Sequence, residues 1–412
     1  MNYEARRQAV YDQLEDNSLL ILYSGAPAHI SVDAYHEFQA NRHFFYLTGL
    51  RRENMILFIR KAAENSRTTL YIEKADPLAE RWTGKMVTVE EAREASGIQD
   101  IRFVDRFETE LCYLLNSADI RCCYFDCYRH QSTDLPDLNL AKAQQFAQEH
   151  PGVAVRNLWS IVSKLRMVKD EDEVALMEQA VDITNQALKN VMKNLKPGMK
   201  EYQAQADFEY MVHYLGAEGP SFPTIAGSGK NGCMLHYETN RETCQEGTLL
   251  LLDLGVRQEG YCSDITRTYP VSGRFTQRQR QVYDIVLKAN KEVAAQAKPG
   301  MTTRELNDIC KKVLAAGCMD LGLIEKEEDI GKYYMHGVSH HLGIDVHDVT
   351  VEGVKLAPGS VITDEPGLYI DEWELGIRIE DDLLITPNGC RVLSAGIIKE
   401  PEEIEAFMAQ PE

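Results

Sequence analysis

The chain has 412 residues and a formal net charge of −20, and 44% of its residues are hydrophobic. This length allows roughly two or three domains, and the hydrophobic content excludes a chain that is disordered throughout. The negative charge disfavours nucleic acid or an anionic membrane as a partner, because binding phosphate groups requires a positive field.

The first residues are charged throughout, and no apolar segment reaches the roughly 18 residues of a membrane-spanning helix. We therefore expect no signal peptide and no membrane partner. The ten cysteines are then expected to be reduced thiols of a cytoplasmic protein. In "CCYFDC" at 122–127 the pattern favours small buried residues on a strand over a zinc site, because a second ligand pair is missing.

Short apolar runs alternate with helical stretches over residues 1–155. The predicted strands are "SLLILYSG", "NMILFIRK", "TTLYIEK", "IRFV" and "IRCCYFDC". The predicted helices between them are "VTVEEAREAS" and "NLAKAQQFAQEH". This alternation is typical of an α/β domain with a mixed sheet.

A break at "HPGV" separates this part from a long helical stretch over 163–195. Strand-rich and glycine-rich sequence follows from about residue 220, with a further helical block at 275–297. We therefore predict one domain over 1–158 and a second over 159–412.

An internal repeat runs through the second domain. Residues 182–199 and 284–301 align without a gap at an offset of 102, with identical residues at nine of eighteen positions. The repeat includes the "KPGM" that ends each helix. We infer a duplication in which each half supplies a helix pair and part of a sheet, with a site at their junction.

Two hairpins of this domain carry paired carboxylates. In "TLLLLDLGVRQEGYCSDITRTYPV", a four-residue loop at 257–260 would pair Val256 with Tyr261 and set Asp253 directly opposite Asp264. Two like charges facing each other between apolar strands destabilise a hairpin unless a cation lies between them.

The second hairpin repeats the arrangement in "VITDEPGLYIDEWELGIRIEDDLLIT". With 371–374 as its loop, Ile370 pairs with Leu375 and Glu365 faces Glu380. Strand alternation sends the neighbouring carboxylates to the other face or further out, and we expect them to be solvated or structural. These are Asp364, Asp381 and Asp382.

Four inward carboxylates and one imidazole form a ligand set for two divalent ions. Oxygen-rich ligation with one nitrogen suits Mn²⁺, Co²⁺, Fe²⁺ or Zn²⁺ better than Ca²⁺. Of these four ions, we expect Mn²⁺. Two ions ~3.5–4 Å apart would bridge a water and generate hydroxide near neutral pH. The imidazole is expected from "HGVSHHLGIDVH" at 336–347, which holds four of the eleven histidines.

These residues resemble the pita-bread metallopeptidases, the family of aminopeptidase P, prolidase, creatinase and methionine aminopeptidase. The resemblance implies an α/β (α+β) fold, with a creatinase-like mixed-sheet domain followed by a pseudo-two-fold pita-bread domain. It implies the metal ligands Asp253, Asp264, His340, Glu365 and Glu380. Asp264 and Glu380 would bridge both ions, and Glu365 would also carry a proton to the leaving nitrogen.

The resemblance also assigns substrate contacts. His236 and His347 would hydrogen-bond the scissile carbonyl and the oxyanion. His336 resembles the outer histidine of the same strand, and Arg378 resembles a site-lining arginine. His341 matches no role, and we expect it to be a packing residue.

"FQANRHFFYLTGL" at 38–50 resembles a stretch in the N-domain of aminopeptidase P and prolidase, which methionine aminopeptidases lack. The match departs at residues 41–42, and Asp364 stands where an apolar residue is usual. The sequence therefore predicts an Xaa-Pro aminopeptidase that acts on peptides with proline in second position, as a homodimer or homotetramer. Prolidase, with the same site, stays open; creatinase and a metal-free binding module are more remote alternatives.

Overall fold

The computed structural model describes residues 1–410, which divide into two compact units, Met1–Arg166 and a second that begins at Met167. The predicted boundary at 158/159 falls earlier than this division. The last helix of the first unit, over Trp159–Arg166, accounts for the difference, because it packs against the first two helices of that unit.

The first unit contains a mixed six-stranded sheet in the order β4-β3-β2-β1-β5-β6. Its strands are β1 Ser18–Tyr23, β2 Ile56–Lys61, β3 Arg67–Ile72, β4 Asp100–Phe103, β5 Cys122–Phe125 and β6 Ala154–Asn157. Its helices are α1 Tyr3–Gln13, α2 Arg42–Thr48, α3 Glu80–Thr83, α4 Val89–Ser96, α5 Phe107–Ser117, α6 Leu138–Glu149 and α7 Trp159–Arg166. All five predicted strands and both predicted helices are present, and the two cysteines of β5 are buried as expected.

The second unit places helix pairs beside short antiparallel sheets. Its helices are α8 Glu171–Asn194, α9 Glu201–Tyr214, α10 Gln277–Gln296, α11 Thr303–Asp320 and α12 Pro401–Met408. Its first strands are β7 Gly219–Pro220, β8 Ile225–Ser228, β9 Leu249–Leu254, β10 Val256–Gln258, β11 Tyr261–Cys262 and β12 Ile265–Pro270. The later strands are β13 Val361–Asp364, β14 Gly367–Ile370, β15 Leu375–Arg378, β16 Asp381–Thr386 and β17 Gly389–Val392.

The internal repeat corresponds to two similar halves. Helix α8 packs on α9 and α10 packs on α11, and α8 and α10 end at Asn194 and Gln296, which are 102 residues apart. One half contributes the sheet β12-β9-β8 and the other contributes β13-β16-β17. The predicted helix pair and sheet in each half are therefore present.

The helical stretch predicted over 163–195 is two helices, so that prediction is wrong in its continuity. Helix α7 ends at Arg166, and α8 begins at Glu171 after a capping box formed by Asp170 and Glu173. A side chain that satisfies the free amide groups of a helix start favours a new helix over continuation of the previous one.

Among residues 1–410, no helix is both long and apolar enough to cross a membrane. The ten cysteines, all within this range, are free thiols.

Candidate active site

The second unit contains a cavity of about 470 Å³ that gathers every predicted site residue. The nine residues are His236, Asp253, Asp264, His336, His340, His347, Glu365, Arg378 and Glu380. Phe222, Ile225, Leu235 and Val346 add apolar surface to the lining. The carboxylates come from the two hairpins, and the imidazoles come from the loop segments around them.

The first hairpin has a register different from the predicted one. Gln258 pairs with Tyr261, so the connection has two residues, Glu259 and Gly260, with φ of 46° and 86°. Two left-handed residues suit a tight turn that follows the twist of the strands. Asp253 therefore lies opposite Thr266, and the predicted direct pairing with Asp264 is wrong. A shift of two residues keeps side chains on the same face, which explains why both carboxylates still reach one cavity.

The second hairpin has the predicted register. Ile370 pairs with Leu375 around residues 371–374, and Asp364 pairs with Asp381 further along the same two chain segments. Glu365 and Glu380 lie between these paired stretches, in the same register, and both face the cavity.

Donor atoms of Asp264, His340 and Glu380 all lie within 4.8 Å of one another. The Nε2 atom of His340 is 3.4 Å from Asp264 Oδ2 and 3.6 Å from Glu365 Oε1. Such a group of carboxylates around one imidazole is a suitable donor set for a divalent ion.

Electrostatics support the same conclusion. Burial, reinforced by the neighbouring carboxylates, raises the pKa of Asp264 and Glu380 well above its ordinary value. Burial also raises the pKa of Glu365, although His340 and Arg378 oppose it. A buried oxygen of Asp253, Oδ1, has no hydrogen-bond partner in residues 1–410. Buried carboxylates without enough positive charge fit a site that a cation completes.

Arg378 is buried, and protein groups occupy its guanidinium. It forms an ion pair with Asp253, donates from Nη1 to Tyr369 Oη at 2.9 Å, and donates from Nε to Thr266 Oγ1 at 3.0 Å. The Thr266 hydroxyl in turn donates to Glu380 Oε2 at 2.6 Å. Arg378 therefore orients the carboxylates in this structure.

Sequence reasoning missed Thr266 and Tyr369. Thr266 is two residues after Asp264, where strand alternation places it on the same face, so the sequence contained a signal for it. Tyr369 joins two predicted site residues, because its hydroxyl lies 2.8 Å from His336 Nε2 and accepts the hydrogen bond from Arg378. A tyrosine in an apolar run gives no sequence signal of this role.

Two cavity histidines are held neutral at physiological pH. Burial and the charge of Arg378 lower the pKa of His336 to about 4. The rings of His347 and His340 stack with centroids 4.0 Å apart. Partial loss of solvent and the neighbouring His340 and His236 lower the pKa of His347 to about 4. A neutral imidazole offers one N–H donor and one acceptor, which suits a carbonyl ligand.

The packing role expected for His341 is confirmed. The side chain is buried, its backbone bridges to Ile362, and its pKa is lowered to about 4, mainly by burial.

The expectation that Asp364, Asp381 and Asp382 are solvated is wrong, because all three are buried. The alternative structural role holds for Asp381, which accepts from Arg267 at 2.8 Å and from Ser394 at 2.7 Å and forms an ion pair with Lys399. These partners are distant in sequence or hidden in a strand, so the local pattern does not reveal them.

Residues 175–387 match the family model of metallopeptidase family M24, and residues 3–124 match the aminopeptidase P N-terminal domain. The chain belongs to metallopeptidase family M24. The sequence is 33% identical to an Xaa-Pro aminopeptidase of Escherichia coli, with 98% of this chain and 97% of the relative covered. It is 29% identical to human Xaa-Pro aminopeptidase 3, with 99% and 83% covered.

Solved structures give the same result. Aminopeptidase P from Escherichia coli with the inhibitor Pro-Leu superposes with a TM-score of 0.88 at 32% identity, covering 99% of this chain and 97% of that one. Proline aminopeptidase P II from Yersinia pestis superposes with a TM-score of 0.90 at 32% identity, covering 99% of each chain. The predicted family, two-part fold class and metallo-exopeptidase class are confirmed.

Proposed function

We propose that this protein hydrolyses the bond between the first residue of a peptide and a proline in second position. The observation that carries the proposal is the meeting of five carboxylate and imidazole ligands with three further histidines in one cavity. The full-length matches to Xaa-Pro aminopeptidases confirm the function predicted from the sequence.

Five residues would hold two divalent ions: Asp253, Asp264, His340, Glu365 and Glu380. Their four carboxylates and single imidazole favour Mn²⁺ among the first-row metals. When bound, such ions act as Lewis acids and lower the pKa of a water molecule near them. Arg378 and Thr266 keep the carboxylates oriented for this task through the hydrogen bonds described above.

Glu365 is the group best placed to move a proton. Its place in the cavity, with Oε1 3.6 Å from His340 Nε2, suits an acid–base group that takes a proton from the attacking water and delivers it to the proline nitrogen as the bond breaks. His336 Nδ1, at 3.7 Å from Glu365 Oε2, lies beside this carboxyl group in the cavity.

Recognition of the substrate follows from the chemistry of the bond. An Xaa-Pro bond is a tertiary amide without an N–H group, so the site must bind its carbonyl. His347 and His236 would donate to this oxygen and to the oxyanion that develops on it. His336 and Arg378 would border the substrate from the Tyr369 side.

The choice between an aminopeptidase and a prolidase depends on whether a basic residue captures the proline carboxylate of a dipeptide. Within the described lining of the cavity, Arg378 is the one lysine or arginine. Asp253, Tyr369 and Thr266 already engage its guanidinium. This arrangement favours longer peptides, whose proline carries no free carboxylate, over Xaa-Pro dipeptides.

We further propose that the protein acts in the cytoplasm as a homodimer or homotetramer with Mn²⁺. Its net charge of −20 and ten cysteines support the cytoplasm, and the family resemblance supports the oligomer. Light scattering after gel filtration tests the oligomeric state.

The test of the function is a paired assay on Mn²⁺-reconstituted protein with an Xaa-Pro-Yaa tripeptide and an Xaa-Pro dipeptide. We expect cleavage of the tripeptide before proline, loss of activity with a chelator, and recovery on adding Mn²⁺. Cleavage of the dipeptide alone would make the enzyme a prolidase. No cleavage of either peptide by metal-loaded protein would contradict the proposal.

A further inference from the structure

A buried ion pair lies next to the cavity and has no place in the mechanism so far. Lys169 Nζ is 3.0 Å from Asp348 Oδ2, and each side chain is only 1% exposed. Lys169 belongs to the segment between α7 and α8, whereas Asp348 directly follows His347. Burying two charges is costly and is a poor source of stability, but it fixes the geometry of the groups that carry them.

The backbone at Gly343 lies close to this pair. A Cβ atom on Gly343 would lie 2.3 Å from Asp348 Oδ2 and 2.8 Å from Lys169 Cε. Any side chain at position 343 would therefore displace the pair. Gly343, Lys169 and Asp348 are therefore closely packed against one another.

Several contacts hold the backbone at Lys169 in place. Its backbone N–H donates to Gly359 O at 2.8 Å, and Asp170, the next residue, caps α8. Gly359 has a φ of +95°, and a Cβ there would lie 2.9 Å from Lys169 O. Met167 is buried, and its sulfur accepts from Val351 N–H at 3.5 Å. These contacts hold the lysine backbone before its side chain reaches Asp348.

The segment at 341–348, which carries His347, contacts Lys169 at its far end through Asp348. Cys262 N–H donates to Gly343 O at 2.8 Å and holds the middle of the segment. Asp348 N–H donates to His341 O at 2.8 Å and closes the segment on itself. The side chain of Asp348 then ties that closure to Lys169, one residue from the ring that stacks on His340.

We infer that Lys169 is a positioning residue for His347. Through Asp348 it holds the segment at 341–348 in the conformation that presents the His347 ring to the substrate carbonyl, and it does not touch the substrate itself. The inference rests on the proposed function only in giving His347 a bound carbonyl to donate to.

A double-mutant cycle on the full-length, Mn²⁺-loaded protein tests this inference with an Xaa-Pro-Yaa tripeptide. Lys169→Met is expected to lower kcat/KM roughly 10- to 100-fold, mainly through kcat, with metal content unchanged. Lys169→Arg, which keeps the charge, should recover part of the loss. In a His347→Ala background, Lys169→Met should cost less than about threefold more, because the residue it positions is gone.

Lys291→Met is the matched control, since Lys291 pairs with Glu400 at an exposed site, and it should leave kcat/KM unchanged. If Lys169→Met does not fold, the near-isosteric Asp348→Asn takes its place in the cycle. An equal fold-loss in both backgrounds, or an unchanged kcat/KM in the Lys169 and Asp348 variants, would overturn the inference.

A readout independent of activity separates this inference from the proposed function. In ring-labelled protein kept free of Mn²⁺, whose paramagnetism would broaden the signal, the His347 ring resonance is assigned by its loss in His347→Ala. It should shift in Lys169→Met and not in Lys291→Met. If the wild-type protein cleaves no Xaa-Pro peptide and this shift is still seen, the function fails and the positioning role stands. An unshifted resonance would overturn the positioning role.

Discussion

Two pairs of carboxylates lie next to each other on the same two strand segments, and their surroundings differ. Glu365 and Glu380 face the cavity, whereas Asp364 and Asp381 point to the other side. On the far side, Arg267 and Lys399 supply positive charge to Asp381. Burial alone would raise the pKa of Asp381, but these two cations outweigh it and hold the pKa below its ordinary value.

On the cavity side, the pKa of Glu365 and Glu380 is raised. Arg378 lies nearby, but it forms its ion pair with Asp253. The far-side pair combines two cations at Asp381 with a pKa of Asp364 that burial raises well above its ordinary value, and a protonated Asp364 would not repel Asp381. Among residues 1–410, no lysine or arginine forms an ion pair with Glu365 or Glu380. The cavity pair therefore needs cations that the side chains do not supply, which is the physical case for a metal site.

The largest effect is expected from removing one charge of the cavity pair. Glu380→Gln should abolish metal binding and peptide cleavage together, because this residue is predicted to ligate both ions. Metal analysis after dialysis and the tripeptide assay measure the two losses. Glu374→Gln, an exposed change in the loop of the same hairpin, is the control. Full activity in Glu380→Gln would disprove the two-ion site.

A smaller loss is expected from a cavity residue that binds no metal. His347→Ala should retain both ions but lower kcat/KM by about two orders of magnitude, because a donor to the developing oxyanion is lost. Steady-state kinetics with the tripeptide measure it. The buried His341→Ala should change kcat/KM less than about threefold. An unchanged rate in His347→Ala would mean that another histidine has this role.

On the far side, removing a cation beside Asp381 is expected to lower the stability of the protein. Arg267→Met leaves the buried Asp381 with Lys399 as its remaining cation, and we expect a loss of about 3–5 kcal/mol in the free energy of unfolding. Urea titration of the metal-free protein measures this quantity. Arg391→Met, at an exposed pair with Glu178, should cost less than about 1 kcal/mol. Equal losses in the two variants would mean that the buried cation has no special role.

The first unit also contains a buried carboxylate, Asp126, whose partners are a histidine and an amide and not a lysine or arginine. Asp126 is buried, but its contacts to His43 at 3.3 Å and Asn41 at 2.8 Å outweigh burial and lower its pKa. A folded pKa below the unfolded value of about 4 stabilises the protein above that value, and the stabilisation is lost as pH falls through the folded pKa.

Asp126→Asn should therefore destabilise the protein by roughly 1–3 kcal/mol at pH 7 and by progressively less below pH 4. Urea titrations at several pH values measure the difference from wild type. The exposed Asp119→Asn should show no such trend. A difference that grows as the solution is acidified would contradict the lowered pKa of Asp126.

The sequence predicted which residues line the cavity better than it predicted local backbone details. Because side chains alternate between the two faces, a register shift of two residues leaves Asp253 and Asp264 on the same face. The predicted face was therefore right although the predicted register was wrong. The prediction assumed a four-residue loop at 257–260. In the structure, Glu259 and Gly260 both adopt left-handed conformations and form a two-residue turn, which shifts the register. The second hairpin turns through the predicted four residues, so its facing pair was predictable.

Partners that come from distant parts of the chain were not predictable. Arg267 and its partner Asp381 are 114 residues apart, and Lys169 and its partner Asp348 are 179 residues apart. The start of α8 did have a local signal, since Asp170 and Glu173 form a capping box within an otherwise continuous helical pattern. The apolar periodicity concealed this signal.

The measurement that tests the central claim most directly is the number of Mn²⁺ ions bound per chain, determined by equilibrium dialysis of metal-free protein. We predict two ions per chain, and tripeptide cleavage that rises as they bind. Binding of no ion, or full cleavage by protein shown to be metal-free, would contradict the claim that cations complete the cavity pair.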